Sequence, residues 1–115
     1  MKTVRKMAIA MAAAGAVALS LPTPAYAINE VPCGDRLDFL KVRLPSRDHC
    51  FANAGPMAVD LRDPVGIAGG NNNAIINYVD GAGRLQSIRV NKNQVLRRID
   101  GTLPHIPRIY EIRIL

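Results

Sequence analysis

Residues 28–115 predict an all-β fold, a small antiparallel sandwich built as one domain. Short runs in which apolar and polar residues alternate recur along the segment. Gly, Pro, Asn and Asp separate them at about 8–12-residue spacing, the pattern of many short strands. No part of the segment sustains a 3.6-residue period.

In chain order, Leu40, Val42 and Leu44 alternate with Lys41 and Arg43, which puts one face on a core and one in water. Met57, Val59 and Leu61 alternate with Ala58, Asp60 and Arg62 in the same way. Ala74 to Val79 is almost continuously apolar and predicts a strand buried on both faces. Asp80-Gly81-Ala82-Gly83 then predicts a four-residue hairpin connection, with Asp-Gly at positive φ, into Leu85–Val90. That strand alternates imperfectly, because Arg84, Gln86, Ile88 and Val90 share a face. Asn93 to Arg98 predicts one helical turn, and Asp100-Gly101 a second tight turn. Tyr110, Ile112 and Ile114 alternate with Glu111 and Arg113 in a last strand. Pro45, Pro56, Pro64, Pro104 and Pro107 lie outside the strand centres, as a missing N–H requires.

The first 27 residues follow different rules. Lys2, Arg5 and Lys6 precede the uncharged apolar run Met7–Leu21, then Pro22, Pro24 and the small-x-small Ala25-Tyr26-Ala27. This is the layout of a cleaved export signal, and it predicts a secreted, extracellular protein. The run is short of the roughly 20 residues that span a bilayer, and no later segment approaches that length, so no membrane span is expected. With the three leader cations gone, 12 basic residues face 9 acidic ones, a net charge of +3 against +6 for the whole chain. The acids are scattered among the arginines, so the pI of 9.9 overstates the case for nucleic acid, and none is expected as a partner.

Cys33 and Cys50 both follow the leader. An even pair in an exported domain predicts one disulfide. No CxxC is present, and His49 beside Cys50 would point to the opposite face of a strand, which argues against a reactive thiolate. A loop of this size stabilises by about 3 kcal/mol on chain-entropy grounds, a large share of a small domain's net stability.

Converging catalytic groups are scarce. The two histidines, His49 and His105, stand apart, and Ser46 and Ser87 have no G-x-S-x-G context. The carboxylates Asp35, Asp38, Asp48, Asp60 and Asp63 form no pair that the sequence places in a cleft. After the leader the aromatic residues are Phe39, Phe51, Tyr78 and Tyr110, few for sugar platforms once a core has drawn on them. No catalytic residue is assigned, and the expected function is non-enzymatic.

Cys50-Phe51-Ala52-Asn53-Ala54-Gly55, Met57-Ala58-Val59, Gly70-Asn71-Asn72 and the ending Tyr110-Glu111-Ile112-Arg113-Ile114 together resemble the microbial βγ-crystallin superfamily. Within it they are most similar to the small secreted streptomycete killer-toxin-like proteins. The resemblance spans about residues 30–115 and implies a sandwich of two four-stranded Greek keys with one disulfide. The first key would run to about Ile76 and the second from there to Leu115, with Cys33–Cys50 tying the first strand region to the start of the second.

Many domains of this superfamily bind calcium through Asn/Asp-Asn/Asp-x-x-Ser/Thr-Ser, one loop per motif. Asn71-Asn72-Asn73-Ala74 fits the first four positions, but Ile75 and Ile76 occupy the two hydroxyl positions. The stretch expected to correspond, His105 to Glu111, has no Asn or Asp. A hard cation prefers carboxylates among its oxygen ligands. The asparagines are therefore expected to shape a turn, leaving calcium a weak or vestigial ligand and no other cofactor.

The resemblance implies a secreted antagonist acting on competitor cell envelopes, and a monomer is expected. Arg43, Arg47, Arg84, Arg97 and Arg98 are the candidate residues for meeting an anionic envelope polymer. The alternatives are a protease-inhibitor module with a secreted protease as partner, which the same superfamily suggests, and an extracellular structural domain with a weak or vestigial calcium site.

Overall fold

The computed structural model describes residues 27–115. The predicted leader, residues 1–27, lies outside the described residues apart from its last position. Among the described residues, nine strands form two antiparallel sheets: β1 (Asn29–Val31), β2 (Leu40–Arg43), β3 (Asp48–Ala52), β4 (Gly55–Arg62), β5 (Gly66–Ala68), β6 (Ala74–Val79), β7 (Leu85–Val90), β8 (Val95–Arg97) and β9 (Arg108–Ile114). One sheet has the order β1-β3-β2-β5-β8, the other β4-β9-β6-β7.

Two Greek keys account for eight of these strands. In the first, β2, β3 and β5 share a sheet while the third strand, β4, crosses to the other. In the second, β6, β7 and β9 share a sheet and the third strand, β8, crosses back. Each key thus completes its partner's sheet, so neither can bury its apolar face alone. The division falls between Ala68 and Ala74, and Ile76 lies inside the first strand of the second key rather than at the boundary expected for it.

The core lies between the sheets. Val42, Ile67 and Leu96 are cross-strand neighbours on β2, β5 and β8, and all three are buried. Facing them, Ile76 pairs with Ile112 in register, and both are fully enclosed. Phe51 and Tyr78 supply the aromatic bulk of the core, whereas Phe39 and Tyr110 stay only partly covered.

Four local expectations need correction. Asn93–Arg98 is not helical: a turn closed by Gln94 N–H to Asn91 O at 3.0 Å leads into β8. Tertiary pairing with β5 overrides its weak helical preference. Ala74–Val79 is buried only at Ala74, Ile76 and Tyr78; Ile75, Asn77 and Val79 are half-covered, because they point to the outer face of this sheet. Tyr110 is not an inward residue, since the pairing of β9 with both neighbours shifts between Ile109 and Glu111. This bulge puts Ile109 and Ile112 on one face, where strict alternation would separate them. In the β6–β7 hairpin, Asp80 N–H donates to Arg84 O at 2.9 Å, leaving a three-residue loop whose positive φ falls at Gly83 rather than at Asp-Gly.

The disulfide joins Cys33, two residues past β1, to Cys50 in β3, with the Cα atoms 5.2 Å apart. Cys50 is fully buried although it points away from the core-facing Phe51, on the face where it is bonded to Cys33.

Gly69 and Gly70 form a tight backbone crossing. A Cβ at Gly69 would lie 2.3 Å from Asn91 O, and one at Gly70 would lie 2.3 Å from Phe39 O. Gly70 also has φ of +59°.

Replacing both cysteines with alanine is expected to lower unfolding free energy by about 3 kcal/mol in urea titrations, and reductant should reproduce the loss in the native chain. Gly70→Ala should cost at least about 1–3 kcal/mol, because strain at positive φ adds to a backbone clash. Three surface carboxyls sit below the ordinary aspartate value of 3.8. Asp38 does so through its hydrogen bond with Arg36, Asp80 through the Arg84 N–H, and Asp100 through the Thr102 hydroxyl. Depressed folded-state values stabilise above the unfolded value and lose that contribution as pH falls through the folded one. Melting temperature should therefore drop below about pH 4, and Asp80→Ala/Asp100→Ala should show a shallower drop.

Candidate surface-binding site

The outer face of the five-stranded sheet departs from the polar surface expected of an exposed strand face. Strand β5, which lies between β2 and β8, carries only small outward residues, Gly66 and Ala68, while Ile67 points to the core. Register places Arg43, Gly66 and Arg97 in one row across β2, β5 and β8, and Lys41, Ala68 and Val95 in the next. Small residues between long ones make a groove, of about 590 Å³. Its floor is Gly66 and Ala68, and its walls are Lys41 and Arg43 on one side and Val95 and Arg97 on the other.

Strands β2 and β8 run the same way, since both are antiparallel to β5. Leu37, just before β2, therefore lies at one end of the groove, and Arg98 and Ile99, just after β8, at the other, beside Val65. Leu37 is 84% and Ile99 93% exposed, and Val65 and Val95 are also open to solvent. Four of the six large exposed apolar residues among the described residues thus line one groove. Isolated exposed apolar residues are ordinary on a protein surface, but a contiguous group marks an interaction site.

Both ends are held by short-range bonds. Around Leu37, Arg36 N–H donates to Cys33 O at 3.1 Å, and the Arg36 guanidinium forks onto the Asp38 carboxylate at 2.8 and 2.6 Å. This pairing raises the Arg36 pKa, and the same guanidinium lies 4.4 Å from the Phe39 ring centre. Around Ile99, Gly101 N–H donates to Arg98 O at 3.2 Å, Leu103 N–H to Arg97 O at 3.0 Å, and Arg97 N–H to Thr102 Oγ1 at 2.8 Å. The last two bonds occupy the outward N–H and C=O of Arg97, so the sheet edge is capped at that end of β8.

Of the five arginines singled out from the sequence, Arg43, Arg97 and Arg98 line the groove. Arg47 lies in the β2–β3 turn, 3.9 Å from Glu30, and Arg84 in the β6–β7 hairpin of the other sheet. Arg43 lies 3.8 Å from Asp48 and Arg97 3.8 Å from Asp100, both exposed pairs of little energetic weight. Sequence reasoning missed Lys41 and the four apolar residues. Reading Val95–Arg97 as a strand in register with β5 is the signal that would have aligned Val95 and Arg97 with Lys41 and Arg43.

The three asparagines lie elsewhere, in the connection between the two keys. Asn72 Nδ2 donates to Asp38 O at 3.0 Å and to Gly69 O at 3.2 Å, and Asn73 Oδ1 accepts the Lys92 N–H at 2.8 Å. Asn71 contributes its backbone, donating to Asp38 O at 2.9 Å. Stretches 71–76 and 105–111 do not occupy equivalent places: the first leads into the opening strand of a key, the second into a closing strand. Of the side-chain oxygens a cation would use, Asn73 Oδ1 is engaged by the Lys92 N–H, whereas Asn72 bonds here through Nδ2 and Asn71 through its backbone.

The histidines lie apart. His49 Nδ1 is 2.7 Å from Glu30 Oε2, and His105 Nε2 is 3.8 Å from Asp63. Among the described residues neither bonds to a serine, and no cysteine is free.

No family model matches the chain, and no curated protein matches it. Among solved structures, the chain is similar to an antifungal protein from Streptomyces tendae Tu901. The two are 27% identical, with a TM-score of 0.64 over 77% of this chain and 100% of the other. The fold is a βγ-crystallin-like sandwich. No described helix is long and apolar enough to cross a membrane.

Asn73→Ala is expected to destabilise the chain by about 0.5–1.5 kcal/mol, because the exposed Lys92 amide exchanges its side-chain acceptor for water. Millimolar calcium should leave the calorimetric melting temperature of the native chain unchanged within a degree or so, since bound ligand would raise it.

Proposed function

We propose that this protein is a secreted, non-enzymatic antagonist that acts on the envelopes of competing cells. The observation that carries this reading is the groove on the five-stranded sheet, where exposed aliphatic side chains lie among Lys41, Arg43, Arg97 and Arg98. A cationic surface raises the rate of encounter with anionic envelopes, and apolar contact then lengthens residence. Similarity to an antifungal protein supports the reading. The leader-like N-terminus and the Cys33–Cys50 bridge support export. Membership of the microbial βγ-crystallin superfamily, near its secreted killer-toxin-like proteins, belongs to the same proposal, as does action as a monomer.

Purified mature protein should inhibit growth on yeast or bacterial lawns. Arg97→Glu/Arg98→Glu should raise the inhibitory concentration by about tenfold or more, from like-charge repulsion at an anionic surface. Added salt should act in the same direction. Undiminished inhibition by the variant, or none by the native protein on either kind of lawn, would sink the proposal.

A further inference from the structure

We infer that the groove docks on an anionic lipid bilayer, with Leu37 and Ile99 entering the headgroup layer and the cations between them meeting lipid phosphates. The inference deepens the proposed antagonism and rests on it for biological meaning, but the physical case is separate. The polar side chains lining the groove are Lys41, Arg43, Arg97 and Arg98, all donors and all cationic. The remaining lining is aliphatic or glycine, with no aromatic ring on which a sugar could stack. No amide, hydroxyl or carboxylate is present among the lining residues to accept a bond from a sugar hydroxyl. An extended peptide is also poorly served, because the Arg97 N–H and C=O at the β8 edge are taken by Thr102 and Leu103.

A bilayer surface matches what is left. It presents phosphates in a plane above hydrocarbon, and the groove presents cations between two protruding apolar tips. The tips are the two most exposed large apolar side chains described, at 84% and 93%, and each is carried by a bonded turn. Arg36, next to Leu37, is engaged by Asp38 and leaves the leucine as the projecting group. Basic residues near an anionic leaflet each contribute about a fivefold gain in partitioning, and apolar residues at the boundary add to it.

Vesicle sedimentation tests this with the mature protein in 0.1 M salt. Vesicles of phosphatidylglycerol and phosphatidylcholine at 3:7 should bind it, and pure phosphatidylcholine should not. Arg97→Ala/Arg98→Ala and Leu37→Ser/Ile99→Ser should each weaken binding by about tenfold or more, on the contributions above. Arg89→Ala/Arg113→Ala, on the other sheet, should change it less than the groove variants do. Equal binding to neutral vesicles, or insensitivity to the Leu37/Ile99 pair, overturns the inference. So does release from vesicles by soluble polyglutamate together with tight binding of that polymer, which would identify an acidic polypeptide as the occupant. Native protein gives a second measurement, independent of how the variants fold. Spin-labelled lipid in those vesicles should broaden the methyl signals of Leu37 and Ile99 more than those of Leu85 and Leu115, and uniform broadening counts against the site. Vesicle binding without growth inhibition removes the antagonist reading alone, and inhibition without vesicle binding removes the lipid alone.

Discussion

The architecture depends on one backbone crossing, at Gly69–Asn73, where the connection between the two Greek keys threads beneath two other loops. Gly69 N–H donates to Gln94 O and Asn71 N–H to Asp38 O, while Gly70 O accepts from Asn93 N–H and Asn73 O from Leu115 N–H. One five-residue segment thereby holds the loop before β2, the turn before β8 and the C-terminal residue. Glycine is required at Gly69 and Gly70 because backbone carbonyls occupy the space a Cβ would need, and a carbonyl cannot turn aside as a flexible side chain can. Asn73 Oδ1 gives the Lys92 N–H an acceptor, while Asn72 Nδ2 adds a second donor to Asp38 O and Gly69 O, which already accept from the backbone N–H groups of Asn71 and Asn72.

The groove follows from that crossing. Its apolar tip Leu37 precedes the Asp38–Phe39 backbone on which Gly70 and Asn71 rest, and its far wall, β8, begins just after the turn that Gly69 and Gly70 hold. Exchange of third strands between the keys is what brings β8 beside β5 at all. Lys41 and Arg43 from the first key thus face Val95 and Arg97 from the second across two small residues. The site is a property of the pair of keys, and the groove does not exist in either alone.

Cross-links are concentrated on the same side. The Cys33–Cys50 bridge and the Arg36–Asp38 fork both act on residues 33–39, which have no strand of their own. Without them that segment would be a loop of low local stability, and an exposed leucine on it would lose more entropy on ordering against a partner. A bonded loop presents the side chain with much of that ordering already done, which favours binding.

The amino-acid order by itself determined the fold class, the cysteine pair and most inward faces. Period-two alternation at Leu40–Leu44 and Met57–Arg62, and turn chemistry at Asp100-Gly101, are local signals that survive folding unchanged. The resemblance to βγ-crystallins added the two keys, which periodicity alone does not encode. Only the tertiary structure decided the bulge that turns Tyr110 outward, the strand at Val95–Arg97 and the true place of the asparagines. It also decided which arginines converge: Arg43 and Arg97 lie far apart in sequence yet share a row through Gly66, while Arg84 goes to the other sheet. The physical reason is that strand register is a long-range property. A three-residue strand such as Val95–Arg97 carries too little local preference to announce itself, and the pairing with β5 both creates it and aims its side chains.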